Sequence, residues 1–255
     1  MHVLKDYVDP SIPATRDLGV VIPGRHGEID FGAFLGKREF NFPIVLIPQD
    51  SYYEALKKTD ELKKILLDKY GSPRTFRLIV GDRPDRYYEA RYSGALPIND
   101  LIKNRFFTLP LVAHDPMAYS VVKSTDKLTW GSKIPFATPI KISYKPSQYD
   151  VFGPTKLNVN NIGSLVVRPV IEIFGRAKSL TLRINGALFT FGDLTNGIVM
   201  IDAENYTVLK NGQNYLPEMK GNVEMIELNP GDNEVEIGGI DLAVQLTLNF
   251  RGKYK

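Results

Sequence analysis

The dipeptide Asn185-Gly186 is the strongest turn signal in the chain, and it separates two segments of alternating apolar residues, LTLRI and LFTF. Both residues tolerate the positive φ angles of a type I′ turn, so the sequence predicts a β-hairpin here. More short alternating segments follow at intervals of about 8–12 residues, a spacing typical of β-sandwiches. They are IVMID, YTVL, VEMIEL, EVEI and LAVQLTLNF. We therefore expect an all-β sandwich over residues 139–255.

A single long amphipathic helix is predicted in the first half, over residues 51–70. Ser51 followed three residues later by Glu54 forms a capping-box pattern, which satisfies two free N–H groups at a helix start. Gly71 provides a left-handed stop before Pro73. The apolar residues assigned to one helix face are Tyr53, Leu56, Leu62, Ile65, Leu66 and Tyr70.

The rest of residues 1–138 reads as strands. EFNFPIVLI (39–47) alternates strictly, and RTFRLIV and RYYEARYSG flank the turn GDRPD as a hairpin. RFFTLPLVAHDPMAYS contains a further strand that Asp115-Pro116 ends, because proline cannot donate to a ladder. The proline-rich segment 132–147 suits a stiff connection, so we place a domain boundary near residue 138. The predicted first domain is thus β structure, of sandwich or barrel type, with one helix.

Composition excludes several classes of protein. The chain has no cysteine, so neither a disulfide framework nor a thiolate metal site is available. The net charge of +3 falls on residues 1–138 and the remainder is neutral, which argues against sequence-specific nucleic-acid binding. No apolar run reaches the length of about 18 residues that spans a bilayer. Charges at Lys5, Asp6 and Asp9 interrupt the position where a secretory signal has its apolar core, so we expect folding in a cytoplasm.

Residues with catalytic or metal-binding potential are sparse. His2, His26 and His114 are far apart and lack neighbouring ligands at helical or strand spacing, so no metal site is predicted. None of the common nucleotide-binding, nucleophile or zinc-hydrolase motifs occurs. Two acid pairs occur, but we interpret Asp82 with Asp85 as turn residues and Glu234 with Glu236 as the outer face of a strand. We predict no catalytic, cofactor-binding or metal-binding residue, and no enzyme.

Aromatic and polar side chains leave room for interfaces or ligands. Trp130 is the only tryptophan, and Tyr87, Tyr88 and Tyr92 cluster on one hairpin. Packing within the domain, burial in an interface and stacking against a ligand all remain open for these tyrosines. In the second domain, three polar residues have groups that could hydrogen-bond a sugar or simply face water. They are Arg168, Arg183 and Asn185.

An ordered set of motifs resembles the distal tail protein family of siphophages, which have long, non-contractile tails. GRHGEIDFG precedes GKREFNFPIVL, GDRPDRYYEARYSG follows the helix, and LVAHDPMAYS closes the first domain. IVMIDAENYTVLKNGQNYLPEM and IELNPGDNEVEI are similar to the distal β domain of the same family. The likeness runs over nearly the whole chain in the right order.

The resemblance implies a mainly β tail-tip or baseplate hub component. Its first domain would form a hexameric ring, and its second would be a galectin-like, jelly-roll sandwich related to carbohydrate modules. The ring would join the tail tube protein to the tail fibre or tail-associated lysin protein, with a receptor-binding protein or a cell-wall glycan as further partners. The protein would reside in the virion after assembly in the bacterial cytoplasm, and its gene could belong to a prophage.

Two other classes remain open. A free carbohydrate-binding module or adhesin accessory would recognise a host cell-wall glycan through residues 139–255. An enzyme would need a carboxylate pair that only folding brings together.

Overall fold

The structure is a computed structural model that describes residues 2–4, 12–96, 105–128 and 146–255. The chain divides into two compact units: residues 1–79 with 87–117, and residues 80–86 with 118–255. The predicted boundary near residue 138 and most of the predicted connection 132–147 lie outside the described residues. That boundary stays a prediction.

Within its described residues, the first unit contains one helix and seven strands. They are β1 (His2–Val3), β2 (Thr15–Val21), β3 (Glu28–Leu35), β4 (Arg38–Val45), α1 (Tyr52–Leu66), β5 (Thr75–Leu78), β6 (Arg86–Tyr92) and β7 (Phe106–Ala113). Antiparallel pairing gives a sheet in the order β1-β4-β7-β6-β5. The β5–β6 hairpin and the strand before Asp115-Pro116 are confirmed.

Strand β4 shows why this sheet has one buried face. Every second residue points to the same side of a strand, and Phe40, Phe42, Ile44 and Leu46 are all buried as their alternation predicts. The ring of Phe40 lies 5.0 Å from that of Tyr88 on β6. The core of the first unit is therefore set by a period-two pattern visible in the sequence.

Helix α1 begins where predicted and ends earlier. The Ser51 hydroxyl accepts a hydrogen bond from the Glu54 N–H at 3.2 Å, as an N-cap should. The helix stops at Leu66, so the predicted end at residue 70 is wrong. Asp68 is the physical reason, because its carboxylate accepts from the N–H groups of Tyr70 and Ser72 and diverts the backbone into a loop.

The buried face of α1 also differs from the predicted one. The helix buries Ala55, Thr59, Leu62 and Leu66. Tyr53, Ile65 and Tyr70, which we assigned to the apolar face, are exposed. Small residues at positions 55 and 59 were not counted as core, although their i, i+4 spacing continues the stripe of Leu62 and Leu66.

In the part that the structure describes, the second unit contains nine strands and a 3₁₀ turn at Val223–Met225. The strands are β8 (Ala118–Lys123), β9 (Gln148–Val151), β10 (Thr155–Asn161), β11 (Val170–Ile184), β12 (Ala187–Asp202), β13 (Thr207–Lys210), β14 (Gln213–Asn214), β15 (Gly231–Asn249) and β16 (Arg251–Tyr254). One antiparallel sheet has the order β10-β15-β11-β12-β13-β14, with β9 also beside β15. The C-terminal strand β16 pairs with β8.

Strands β11 and β15 each wrap around a single core by changing phase once, and β12 is irregular at the same level, where the even-numbered Leu194 is buried between odd-numbered buried positions. In β11 the buried positions are odd-numbered up to Ala177 and even-numbered from Leu180, with register shifts between the two. In β15 they change from odd at Ile237 to even at Leu242. A β-bulge adds the extra residue that keeps both halves of a bent strand facing inward. The sheet thereby folds over into a sandwich, which confirms the predicted mainly β fold.

The predicted hairpins are confirmed, but several predicted strands merge. Asn185 and Gly186 have φ of 46° and 91° and join β11 to β12, and Asn211-Gly212 joins β13 to β14 in the same way. LFTF and IVMID are two halves of β12, and EVEI and LAVQLTLNF are two halves of β15. The strand predicted at VEMIEL is wrong. There the Asn222 side chain accepts from the Glu224 N–H and starts a 3₁₀ turn instead.

Strand β16 is fixed by buried groups around its terminal tyrosine. The Arg86 guanidinium lies 3.8 Å from the centre of the Tyr254 ring. The buried Tyr254 hydroxyl has no hydrogen-bond partner within the described part of the chain. Burial raises the pKa of Tyr254, while the charge of Arg86 opposes this shift.

We predict opposite outcomes for two substitutions of Tyr254. Tyr254→Phe should leave the free energy of unfolding unchanged or raise it by about 1 kcal/mol, because it removes an unpaired buried hydroxyl. Tyr254→Ala should lower it by about 3–5 kcal/mol, since it empties a buried ring site. Urea denaturation measures both. A loss in Tyr254→Phe as large as in Tyr254→Ala would contradict this account.

A comparison of the wild type with Tyr254→Phe also tests the raised pKa of Tyr254. Because the folded-state pKa of Tyr254 is raised, the wild type should lose stability as the pH climbs above about 10, where the tyrosine of the unfolded chain ionises. Tyr254→Phe should show a smaller loss over that range. Equal pH dependence in the two proteins would show that Tyr254 does not contribute.

Candidate assembly surface

Strands β2 and β3 form a hairpin that we call the arm, residues 15–35. Among the described strands, β2 and β3 pair only with each other. Of these residues only Ile29 is even partly buried. The arm therefore packs neither of its faces into the core of its unit.

One face of the arm is apolar. Directly paired residues share a face, and the register pairs Val20 with Ile29 and Arg16 with Phe34. A bulge at Gly32, whose φ is 94°, places Phe31 opposite Leu18 on this same face. The apolar face consists of Leu18, Val20, Ile29, Phe31 and Phe34. We call these five residues the apolar face of the arm.

The opposite face carries most of the polar side chains of the arm. Thr15, Asp17, Glu28 and Asp30 point to that side, together with the apolar residues Val21, Ala33 and Leu35. The Asp30 carboxylate accepts from the Gly32 N–H at 2.7 Å and so stabilises the bulge. The arm is thus an amphipathic hairpin, the arrangement expected of a strand pair that covers a core on one side only.

The exposure of the apolar face is too large for an ordinary free surface. Phe31 is 62% and Phe34 57% exposed, and Val20 and Leu18 are 50% and 41% exposed. Contiguous apolar patches on soluble proteins usually mark binding sites, whereas single exposed residues carry no such meaning. Covering this face would contribute on the order of 5 kcal/mol. The arm is therefore the strongest candidate for a contact surface in the first unit.

A second apolar area lies on the outer face of β4 and β7. While the even-numbered residues of β4 are buried, Pro43 and Val45 point outward and pair with Thr108 and Phe106. Phe106 is 48% exposed, and Ile47 just beyond β4 is 43% exposed. We call Pro43, Val45, Ile47 and Phe106 the outer patch. The unit thus presents two different unpartnered apolar surfaces.

The tyrosines of the β6 hairpin belong to the core rather than to such a surface. Tyr87 and Tyr88 are 4% and 6% exposed. Arg77 lies over the Tyr87 ring at 4.7 Å, and Arg38 over the Tyr88 ring at 5.0 Å. Packing within the unit is the alternative that the structure supports for both. Trp130 lies outside the described residues.

The three polar residues considered for sugar binding make contacts within the second unit. Arg168 donates to Glu227 at 2.7 Å and to the Tyr206 hydroxyl. Arg183 donates to the Gly186 carbonyl, and Asn185 bonds the Glu234 N–H and the Asn233 side chain. These side chains hold turns and strand ends together.

In the two acid pairs, Asp85, Glu234 and Glu236 form ion pairs. Asp85 is buried and accepts from Arg86 at 3.1 Å. Glu234 and Glu236 both bind Lys156. The hydrogen bond from Lys156 lowers the pKa of Glu236, so this carboxylate is held ionised and is poorly suited to donate a proton.

Other site types find no support in the part of the chain that the structure describes. His114 Nε2 lies 2.9 Å from Arg91 Nη2, and His26 is exposed. No group of three metal-ligating side chains occurs among the described residues. Nor does any described helix have the length and apolar character needed to cross a membrane.

The arm was missed by the strand reading of the sequence, although its signal was present. Leu18, Val20 and Ile22 alternate before the turn residues Pro23-Gly24. GRHGEIDFG was used only as part of the family resemblance. An alternating segment reveals a strand, but it does not reveal that its apolar side lies away from the core.

Comparison with known proteins agrees with this picture. The sequence profile of the phage tail protein RIFT-related domain family matches residues 1–113. No curated protein sequence matches the chain significantly. Among solved structures, SPP1 Dit (gp 19.1), described as a paradigm of hub adsorption apparatus in phages infecting Gram-positive bacteria, has a TM-score of 0.65 at 16% identity, covering 99% of this chain and 94% of that one.

Two further structures are baseplates of phage p2 in the activated conformation, with Ca and with Sr. Each has a TM-score of 0.37, at 10% and 11% identity, covering 95% and 96% of this chain and 89% of theirs. These scores carry no argument about the fold. The family match and the SPP1 Dit fold confirm the resemblance to distal tail proteins. Because the matched family consists of phage tail proteins, the prediction that the chain is not an enzyme is confirmed as well.

If the apolar face of the arm mediates the self-association that the family resemblance implies, charged residues on this face should abolish it without unfolding the protein. We expect the double substitution Phe31→Asp and Phe34→Asp to shift the protein to monomer in light scattering, because carboxylates cannot be buried unpaired. The melting temperature should change little, since both rings are exposed within the chain. Leu35→Asp, on the opposite face, is the control and should still assemble. Loss of assembly in both variants to the same degree would contradict a role for this face.

Proposed function

We propose that this chain, whose residues 1–113 are a phage tail protein RIFT-related domain, is a structural component of the phage tail tip that forms a hexameric ring. The ring would connect the tail tube protein to the tail fibre, tail-associated lysin or receptor-binding apparatus. The family match and the fold shared with SPP1 Dit support this role.

One observation carries the proposal, namely the apolar face that the arm leaves uncovered. A chain that functioned alone would gain nothing from an apolar face on which four of five side chains are exposed. A subunit of a permanent assembly buries such a surface against its neighbour. In the proposed ring, that neighbour is the next copy of the chain.

The outer patch provides the complementary surface. A cyclic ring is built by heterologous contacts, in which each subunit uses two different surfaces. We infer that the apolar face of the arm from one copy packs against the outer patch of the next copy. Phe106, Ile47 and Val45 offer apolar side chains of the kind that Phe31 and Phe34 require.

The contacts of the acid pairs are consistent with a role that requires no catalysis. Asp85, Glu234 and Glu236 neutralise basic partners within their unit. A tail-tip ring requires matched surfaces and a stable fold, and these ion pairs contribute only to the fold.

Light scattering and negative-stain electron microscopy of the purified full chain test the assembly. We expect a species of six times the 28.7 kDa chain mass and ring-shaped particles, either alone or after adding the tail tube protein. A protein that stays monomeric and binds neither tube nor fibre protein would overturn the proposal.

The absence of cysteine allows a sharper test of the contact. Arg16 is paired with Phe34 of the apolar face of the arm, and Thr108 is paired with Pro43 of the outer patch. The test uses the single substitutions Arg16→Cys and Thr108→Cys. A short bismaleimide should cross-link the two single-cysteine proteins only after they are mixed. Asp17→Cys, on the polar face, is the control and should react poorly with Thr108→Cys. Efficient cross-linking of Arg16→Cys with itself would point to an isologous contact instead.

A further inference from the structure

The second unit contains an open cleft of about 790 Å³ where its three long strands become irregular. We call it the bend cleft. Its walls come from residues 176–178 of β11, 193–196 of β12 and 239–243 of β15, together with the β9–β10 loop at 152–154. The volume lies within the range of about 300–1,000 Å³ that small-ligand sites occupy. The cleft lies entirely within the second unit.

The backbone around the bend cleft is held in uncommon conformations. Of the seven non-glycine residues with positive φ in the described chain, Ser179, Asn196 and Asp241 lie at this bend. Asn185 and Asn211, by contrast, belong to hairpin turns that need such angles. Strained residues concentrate where side chains must be aimed at a ligand. The position of Asn196 and Asp241 at the cleft is thus a pointer to function.

Polar side chains with free hydrogen-bonding capacity face the bend cleft. Arg176 is exposed, and no hydrogen bond or ion pair involves its guanidinium within the described residues. One carboxylate oxygen of Asp193 accepts from the Ser179 N–H at 2.8 Å, which fixes the side chain and leaves its second oxygen available. The amide of Asn196 is likewise exposed at the wall. Donors and acceptors therefore stand together on one surface.

An aromatic ring completes the cleft. Phe152 is 82% exposed, the largest exposed fraction among the large apolar side chains of the described chain. The ring stands in the short loop between β9 and β10, beside Gly153 and Pro154. A flat apolar surface next to hydrogen-bonding groups matches a pyranose, which has an apolar face and a rim of hydroxyls. Exposed phenyl rings gain free energy when such a face covers them.

Charge and shape narrow the ligand class. Arg176 and Lys178 are balanced by Asp193 and Asp241, and Lys178 already pairs with Asp241 at 3.1 Å. A neutral cleft gives no electrostatic advantage to a phosphate or an acidic peptide. A second cavity of about 280 Å³ shares Pro154 with the bend cleft and borders β15 at Gly238. A chain of sugar rings that leaves the bend cleft at Pro154 would reach this second cavity.

We propose that the bend cleft binds a neutral oligosaccharide, with one sugar ring stacked on Phe152 and hydroxyl groups bonded by Arg176, Asp193 and Asn196. The proposal is independent of ring assembly, which uses the first unit. It also differs from the sugar residues considered at first, since Arg168, Arg183 and Asn185 are engaged in contacts within the unit.

Saturation-transfer NMR with the full chain tests the site. The probes are maltotetraose, cellotetraose, chitotetraose and a rhamnose tetrasaccharide, supplemented by an array of neutral bacterial glycans. We expect at least one to bind the wild type, and Phe152→Ala to weaken that binding about tenfold. Arg176→Ala should weaken it as well. Binding of none of the glycans would overturn the proposal.

Phe174→Ala is the matched control. Phe174 is also an exposed phenylalanine of the second unit, at 58%, but it lies on β11 outside the cleft. This variant should bind like the wild type. Equal weakening in Phe152→Ala and Phe174→Ala would overturn the assignment of the site. Light scattering of the same variants separates the two proposals, because Phe152→Ala should keep the oligomeric state of the wild type.

Discussion

Period-two alternation is the constraint on which the second unit depends. A strand as long as β11 or β15 runs through both layers of a sandwich. If its apolar residues stayed at odd-numbered positions throughout, they would point outward after the bend. The change from odd to even positions between Ala177 and Leu180, and between Ile237 and Leu242, resolves this conflict. The irregular segment of β12 lies at the same level as the changes in β11 and β15, so the irregular backbone is concentrated there. The bend cleft is a consequence of that coincidence, and it supplies a polar, aromatic-rimmed surface that regular strands would not provide.

The arm differs from these strands, because its alternation does not place apolar residues in a core. Its strands are regular enough to pair, and their alternation separates an apolar face from a polar one, yet no core lies beneath them. Two surfaces of the first unit, the apolar face of the arm and the outer patch, are chemically alike and are not the same surface. A pair of different, matching surfaces is what repeated head-to-tail association requires. The proposed assembly would therefore explain the arm by the same hydrophobic effect that explains the buried face of β4.

Much of this fold could be predicted because local rules decide it. Ser51 and Asn185-Gly186 act through neighbouring backbone groups, and the alternation of β4 determines which of its side chains are buried. The predictions that were wrong have physical causes. In two of them a polar side chain bonded nearby backbone N–H groups and displaced the predicted helix or strand. Asp68 ended α1 early by binding two N–H groups, and Asn222 replaced a strand with a 3₁₀ turn. The irregular segments of β12 and β15 resembled gaps between strands, so each of these strands was predicted as two shorter ones. The bend cleft could not be predicted, because its walls come from four segments that only folding brings together.

The pairing of β16 with β8 has a consequence for how the chain is made. Residues 118–123 and 251–254 are separated by more than half of the chain, and the buried Ser120 and Ser124 bond the backbone of residues 248–252. During synthesis, β8 therefore leaves the ribosome long before its partner exists. Until β16 arrives, one edge of β8 is open to any other strand, including that of a neighbouring nascent chain. The second unit can therefore complete its fold only after β16 has been synthesised.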